Sequence, residues 1–149
     1  MAGAGIRPAV PADPGAVLAP CRQRNPADLA PDPGRAAVDW SQPLGSAMTT
    51  VPVAPADGRP VATCVLVVVP NLTRGARPCA IIENVVTDAA HRRQGHAGRL
   101  LQAALDRAWQ AGCYKVMLAT GSRSEATLRF YESAGFERGG RTFLQARRP

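Results

Sequence analysis

The segment Arg92-Arg93-Gln94-Gly95-His96-Ala97-Gly98 sets two guanidinium groups beside small residues, at the point where an apolar run gives way to an amphipathic one. If a helix opens near Gly95, the N–H groups of its first turn lack intrahelical acceptors, and its dipole makes that end positive. Such an end suits a pyrophosphate. Gly95 and Ala97 add little bulk, so phosphates can approach the backbone. Arg92 and Arg93 supply charge in the planar form that grips phosphate. No Gly-Lys-Ser/Thr follows, so the turn is not a P-loop. Taken alone, it reads equally as a glycine-containing turn before an amphipathic helix.

Glu83 and Asn84 interrupt an otherwise apolar strand pattern, CAIIENVVT at residues 79–87. A buried, unpaired carboxylate is costly, so this pair calls for an explanation. His91 and His96 are the two histidines. They are too few and too lightly accompanied for a metal site, and neither forms a Ser/His/Asp triad. His96 is expected as a loop residue near the phosphates, and His91 as solvated. Cys21, Cys64, Cys79 and Cys113 include no CxxC pair. That argues against zinc, and reduced thiols in a cytoplasmic protein are expected.

The elements that must position these groups follow from periodicity. Residues 6–10 suit a first strand. Asp13 offers an N-cap with Pro14 at the first helical position, although Pro20 argues against a regular helix there. A second short helix is expected over residues 34–41, ended by Pro43. Residues 49–54 and 60–70 read as strands around a turn at Ala56-Asp57-Gly58-Arg59. The second of these, PVATCVLVVVP, is apolar on both faces and suits a central position. The next strand is residues 79–87. Leu100, Leu101, Ala104, Leu105, Ala108 and Trp109 then repeat at helical spacing over residues 95–111, with Gly112 as a left-handed cap. Residues 114–119 read as a strand. Ser122 and Glu125 form a capping-box pattern opening a helix through about residue 134. Residues 136–146, around Gly139-Gly140, read as a closing hairpin. The sum is one α/β domain, a mixed sheet with helices packed on it.

The chain has 149 residues, enough for one domain with a single core. Its net charge of +7 is carried almost wholly by arginine, Lys115 being the sole lysine. A polyanionic ligand fits that charge, as does an arginine-rich solvated surface. Nucleic acid fits less well, because the basic residues are scattered and aromatics, at 5%, are too few for a stacking platform. The longest apolar run, near residues 65–70, is too short to span a membrane. The N-terminus lacks the apolar stretch of a signal peptide, which points to the cytoplasm.

R-x-x-G-x-A at Arg92, Gly95 and Ala97 resembles the acetyl-CoA pyrophosphate motif of the GCN5-related N-acetyltransferase (GNAT) superfamily. ENVVT at residues 83–87 is similar to that family's fourth strand, whose edge bonds the pantetheine arm and holds the acetyl group. FYESAGF at residues 130–136 resembles the segment that closes its fold. CYKVML at residues 113–118 is similar to the glucosamine-phosphate acetyltransferase branch. The resemblance spans residues 60–143 and is faint over residues 1–59. It implies the GNAT fold, with a central, mostly antiparallel mixed sheet flanked by helices, and acetyl-CoA as cosubstrate with no metal.

The resemblance also implies roles. The edge at Val85, Val86 and Thr87 would hold the pantetheine arm. The pyrophosphate would meet Arg92, Arg93, Gln94, Gly95, His96, Ala97 and Gly98. Glu83, partly buried and so raised in pKa, would take a proton from the attacking amine; its structural alternative is pairing with an arginine. Tyr131 would bind the cofactor and protect the departing thiolate, a task a phenol performs without bringing in charge. Its alternative is a packing role. Ser124 stands where many relatives carry an Asn that bonds the pantetheine. Asn84 and Ala119 stand where the glucosamine-phosphate branch has Asp. The partner expected is a small-molecule or peptide primary amine, with a homodimer plausible. The rival readings are a non-catalytic acyl-CoA sensor, which would keep the 92–98 turn without needing Glu83 or Tyr131, and a nucleic-acid-associated protein.

Overall fold

Stiff, β-branched side chains that are apolar on both faces pack best in the middle of a sheet, and the run after Pro60 takes that place. The computed structural model describes residues 5–149. The chain divides into two compact units, Met1–Leu118 and Ala119–Pro149. The first unit runs β1 (Arg7–Pro8), α1 (Pro14–Arg24), α2 (Pro33–Gly45), β2 (Thr49–Thr50), β3 (Pro52–Ala56), β4 (Arg59–Val69) and the single turn α3 (Thr73–Ala76). It continues with β5 (Cys79–Thr87), a 3-10 turn (Ala89–His91), α4 (His96–Gln110) and β6 (Val116–Leu118).

The sheet order is β1-β3-β4-β5-β6, with β2 also pairing to β4. Every pairing is antiparallel except β5 with β6. This is the mixed, mostly antiparallel α/β sheet expected. Leu66, Ile82, Val53 and Val61 are fully buried in it, as are Leu100 and Leu101 of α4. Each such leucine contributes about 2 kcal/mol on leaving water. Trp109, counted into the apolar face of α4, is instead about half exposed. Asp57 and Gly58 turn the β3–β4 hairpin with φ of 50° and 77°, the pair of positive values that a two-residue turn needs to match strand twist.

Both N-terminal helices outlast their prolines. α1 continues through Pro20, which is buried, and packs on β4 and β5. That packing outweighs the cost of about 3 kcal/mol for an interior proline. Asp13 does not cap α1 with its side chain. It is held by Arg7 at 2.7 and 3.0 Å and accepts from Val10 N at 2.8 Å. α2 runs past Pro43, and its cap is Asp32, which accepts from Arg35 N at 2.9 Å.

The second unit holds α5 (Glu125–Ser133). Its N-cap is Ser124, not Ser122. Glu125 does not reach back in a capping box, because Arg138 holds its carboxylate at 2.6 and 3.1 Å and Arg129 at 3.3 Å. Gly139 and Gly140 are left-handed, yet the closing hairpin is not formed among the described residues. Phe143 and Leu144 are exposed, and a lone two-stranded ribbon buries too little apolar surface to hold itself. Among the described residues, no helix is long and apolar enough to cross a membrane.

Candidate active site

The β4–β5 ladder slips by one residue in the middle of β5. Val86 stands opposite Thr63 and Glu83 opposite Val65, so three steps along β5 match two along β4. The extra residue falls at Asn84-Val85, and Asn84 has φ 54°. This is a bulge, and asparagine is among the few non-glycine residues that enter left-handed geometry readily. The bulge accounts for the polar pair in the apolar strand. Glu83 and Asn84 are both exposed, so no carboxylate is buried, and the partial burial expected of Glu83 is not found. Paired residues share a sheet face. Glu83 therefore lies on the face of Val65, which packs against the cluster of Ala9, Val51 and Val53, as do Val17 of α1 and Trp40 and Leu44 of α2.

Past the bulge, one edge of β5 has no strand paired to it among the described residues. Its parallel pairing with β6 ends at Ile82↔Leu118. Asp88 N–H donates to Val61 O at 2.7 Å, and a trans peptide then points the Thr87 carbonyl the other way. Arg92 Nε donates to that carbonyl at 3.4 Å. The Val85 carbonyl accepts from Arg24 Nη1, at the end of α1, at 3.1 Å. Val85 and Thr87 are half-buried, and Val86 between them is buried. Arginine side chains thus hold two of the carbonyls along this edge.

This edge leads into the 92–98 turn. Gly95 is the N-cap of α4 at φ 79°, a conformation in which glycine avoids the steric cost of a Cβ. Arg99 N–H makes a helical bond to Gly95 O at 3.1 Å. The N–H groups of His96, Ala97 and Gly98, one turn earlier, have no acceptor of that kind. Arg92, Arg93 and Gln94 are exposed, and Gln94 Nε2 donates to Ala90 O at 3.2 Å. The turn thus sets the exposed side chains of Arg92 and Arg93 beside the open end of α4.

Two histidine expectations are corrected. His96 is the first residue of α4 and is buried, not a loop residue. Its Nδ1 is 3.0 Å from Arg99 Nη2. Burial first, then Arg99 and His91, pushes its pKa down. His91 is not solvated. It lies 3.2 Å from Asp88 and 3.3 Å from Asp57, and those two carboxylates raise its pKa.

Sequence reasoning missed Asp88, which is buried. It caps the 3-10 turn through Ala90 N at 3.0 Å and accepts from Gln23 Nε2 at 3.3 Å. The Gln23 amide oxygen in turn accepts from Ala89 N at 2.8 Å. Asp two residues before an N–H it can bond is a readable local signal. Gln23 and Arg24 give none, because their partners lie more than 60 residues away.

In the second unit, Ser124 is exposed and caps α5 without a side-chain hydrogen bond. Tyr131 lies on α5, its ring 5.2 Å from Phe130 and 6.3 Å from Phe136, the latter edge-on.

Known proteins share this fold. The family described as "Acetyltransferase (GNAT) family" matches residues 21–136. A glucosamine 6-phosphate N-acetyltransferase of Trypanosoma brucei brucei is 39% identical over 79 residues, 53% of this chain and 52% of that protein. The chain spans about half the length of the curated relatives it matches. A solved structure from Agrobacterium tumefaciens str. C58, an acetyltransferase by assignment, superposes with TM-score 0.91 at 41% identity, over 97% of this chain and 100% of that one. A Trypanosoma brucei acetyltransferase superposes with TM-score 0.79 at 28% identity, over 95% and 97%. The family match begins within α1 and takes in the bulged strand, the 92–98 turn and Tyr131 together, and the chain belongs to the GNAT family of acetyltransferases.

Proposed function

We propose that the chain is an N-acetyltransferase that carries acetyl from acetyl-CoA to a primary amine by direct attack, with residues 1–149 acting as one domain. The observation that carries this reading is the free edge of β5, which runs from the bulge at Asn84 to the N-terminus of α4. An extended pantetheine arm bonds such an edge as a strand would, and the helix end takes the pyrophosphate. Acetyl-CoA supplies the thioester. Backbone groups of residues 85–87 orient its arm, and the 92–98 turn with Arg92 and Arg93 neutralises its phosphates. Glu83 accepts the proton of the amine, directly or through water. The Tyr131 hydroxyl bonds the departing sulfur. Ser124 offers a shorter polar contact to the arm.

The curated relatives are named for glucosamine 6-phosphate. Asn84 and Ala119, where that branch carries carboxylates, weigh against the same acceptor here. We extend the proposal to a homodimer, since residues 142–146 lie unpaired among the described residues with Phe143 and Leu144 exposed; sedimentation tests this. A screen of sugar, polyamine, amino-acid, aminoglycoside and peptide amines for acetyl-CoA-dependent thiol release tests the activity. Release with one class supports the transferase. Acetyl-CoA binding with release from none would favour the sensor.

A further inference from the structure

The imidazole of His91 lies between two carboxylates from separate parts of the first unit. Its Nδ1 is 3.2 Å from Asp88 Oδ1, at the end of β5, and its Nε2 is 3.3 Å from Asp57 Oδ2, at the tip of the β3–β4 hairpin. A neutral imidazole has one N–H, so it can donate to only one of them and turns a lone pair on the other. The imidazolium donates to both. The His91 side chain is 13% exposed and that of Asp88 7%, whereas Asp57 at the hairpin tip is 84% exposed, so the Asp88 side of the pairing is the one shielded from water.

The charged neighbours of His91 do not all act in one direction. Arg59, at the start of β4, is 3.6 Å from Asp88 Oδ2 and opposes a charge on His91. From α4, His96 meets the His91 ring edge-on at 6.1 Å, with Arg99 beyond it. The pKa of His96 is pushed down, in part by His91, while that of His91 is pushed up. From α1, Gln23 fixes the other oxygen of Asp88. The Asp88 carboxyl is held below its ordinary range, chiefly by His91, then by Ala90 N–H, Gln23 and Arg59.

We propose that His91, charged between Asp57 and Asp88, is a positioning residue that makes pyrophosphate binding at the 92–98 turn depend on pH, with tighter binding while the imidazolium is present. The inference rests on the reading of that turn as the acetyl-CoA site. His91 is the last residue of the 3-10 turn, and Arg92 follows it. Loss of the proton releases the hairpin tip from the turn and removes a positive charge beside a polyanion, and both effects weaken binding. His91 has its pKa raised on folding, so its stabilising pairing is fully present below the unfolded value of about 6.5 and is lost as pH rises through the higher folded value.

The test combines two measurements on the full chain. NMR titration of ring-labelled histidine should give His91 a midpoint above the ordinary histidine value. Asp57→Asn should lower that midpoint, and saturating acetyl-CoA should raise it by about half to one unit. Calorimetry with acetyl-CoA between about pH 6 and 9 should then show affinity falling about three- to tenfold through the transition, the same linkage read from the ligand side. His91→Gln should remove that fall, leaving only the slope due to the ligand's own phosphates. Should that variant fold poorly, Asp57→Asn, which keeps the histidine, should move the fall to lower pH. A His91 midpoint at or below the ordinary value, or one unmoved by acetyl-CoA, overturns the proposal. So does an affinity profile that is the same in the wild type and in both variants; the reading of the site then stands. Absence of acetyl-CoA binding at any pH overturns the site reading, and the proposal with it.

Discussion

Glu83 pairs with Val65 and so shares a sheet face with the side chains that pack under α1 and α2. Val86, three residues on, pairs with Thr63 and lies on that face as well, since Thr63 and Val65 are two apart. Strict alternation would place Glu83 and Val86 on opposite faces. The bulge at Asn84 removes that alternation, and it turns the proposed base toward the N-terminal helices.

Asn84 should therefore tolerate glycine but not a β-branched residue. At φ 54°, Asn84→Val should cost about 1–2 kcal/mol from left-handed strain, read by denaturant unfolding. Asn84→Gly should lose less. Equal stability for the valine variant would mean that the bulge relaxes without cost.

Gly95 caps α4 at φ 79°, and beyond its chain neighbours a Cβ there would meet, among the described residues, only the Arg99 side chain, at 3.6 Å. The penalty of Gly95→Val is thus one of backbone strain and of bulk facing the ligand, not of a clash inside the fold. Acetyl-CoA affinity should fall at least tenfold, or about 1.4 kcal/mol. Unchanged affinity by calorimetry in a folded variant would remove the 92–98 turn from the binding site.

Much of the first unit was legible because its signals are local. The helical spacing from Leu100 to Ala108, the β-branched run of β4 and the Asp57-Gly58 turn each fix an element from a few neighbouring residues. The 92–98 turn was legible for the same reason. What failed depended on distant partners. Pro20 reads as a helix breaker until α1 is laid on β4 and β5. Glu83 reads as partly buried, yet it is exposed beside the bulge, which the strand pattern alone does not reveal. His91 reads as solvated because Asp57, its second partner, is 34 residues away. Glu125 reads as a capping-box residue until Arg138, 13 residues on, takes its carboxylate.

Tyr131 packs beside Phe130 and Phe136, so its ring and its hydroxyl must be tested apart. Tyr131→Phe keeps the ring contacts and removes only the oxygen. Stability and acetyl-CoA affinity should hold, while turnover drops about 10–100-fold, at or below the low end for proton-transfer catalysis. Wild-type turnover in this variant would leave Tyr131 a packing residue.

Glu83 is exposed on the bulged strand, one residue before the left-handed Asn84 and at the far end of the free edge from the phosphate turn. Under the proposed binding mode it would lie near the acetyl end of an extended cofactor. If it takes the proton, log(kcat/KM) should rise with pH and level off above the apparent pKa of the enzyme group. Glu83→Gln keeps the size and the hydrogen bonding but cannot accept the proton. Acetyl-CoA affinity should stay intact, because the phosphate turn and the backbone edge are untouched. The reaction should slow most at low pH, where an alkyl amine with a pKa of about 10 is nearly all protonated. The defect should shrink as pH approaches that value, since solvent then supplies the neutral nucleophile. A pH–rate profile of the variant with an identified acceptor separates the possibilities. A defect that is constant across pH would mean that Glu83 orients the amine without taking its proton, and no defect at all would leave it an exposed strand residue beside the bulge.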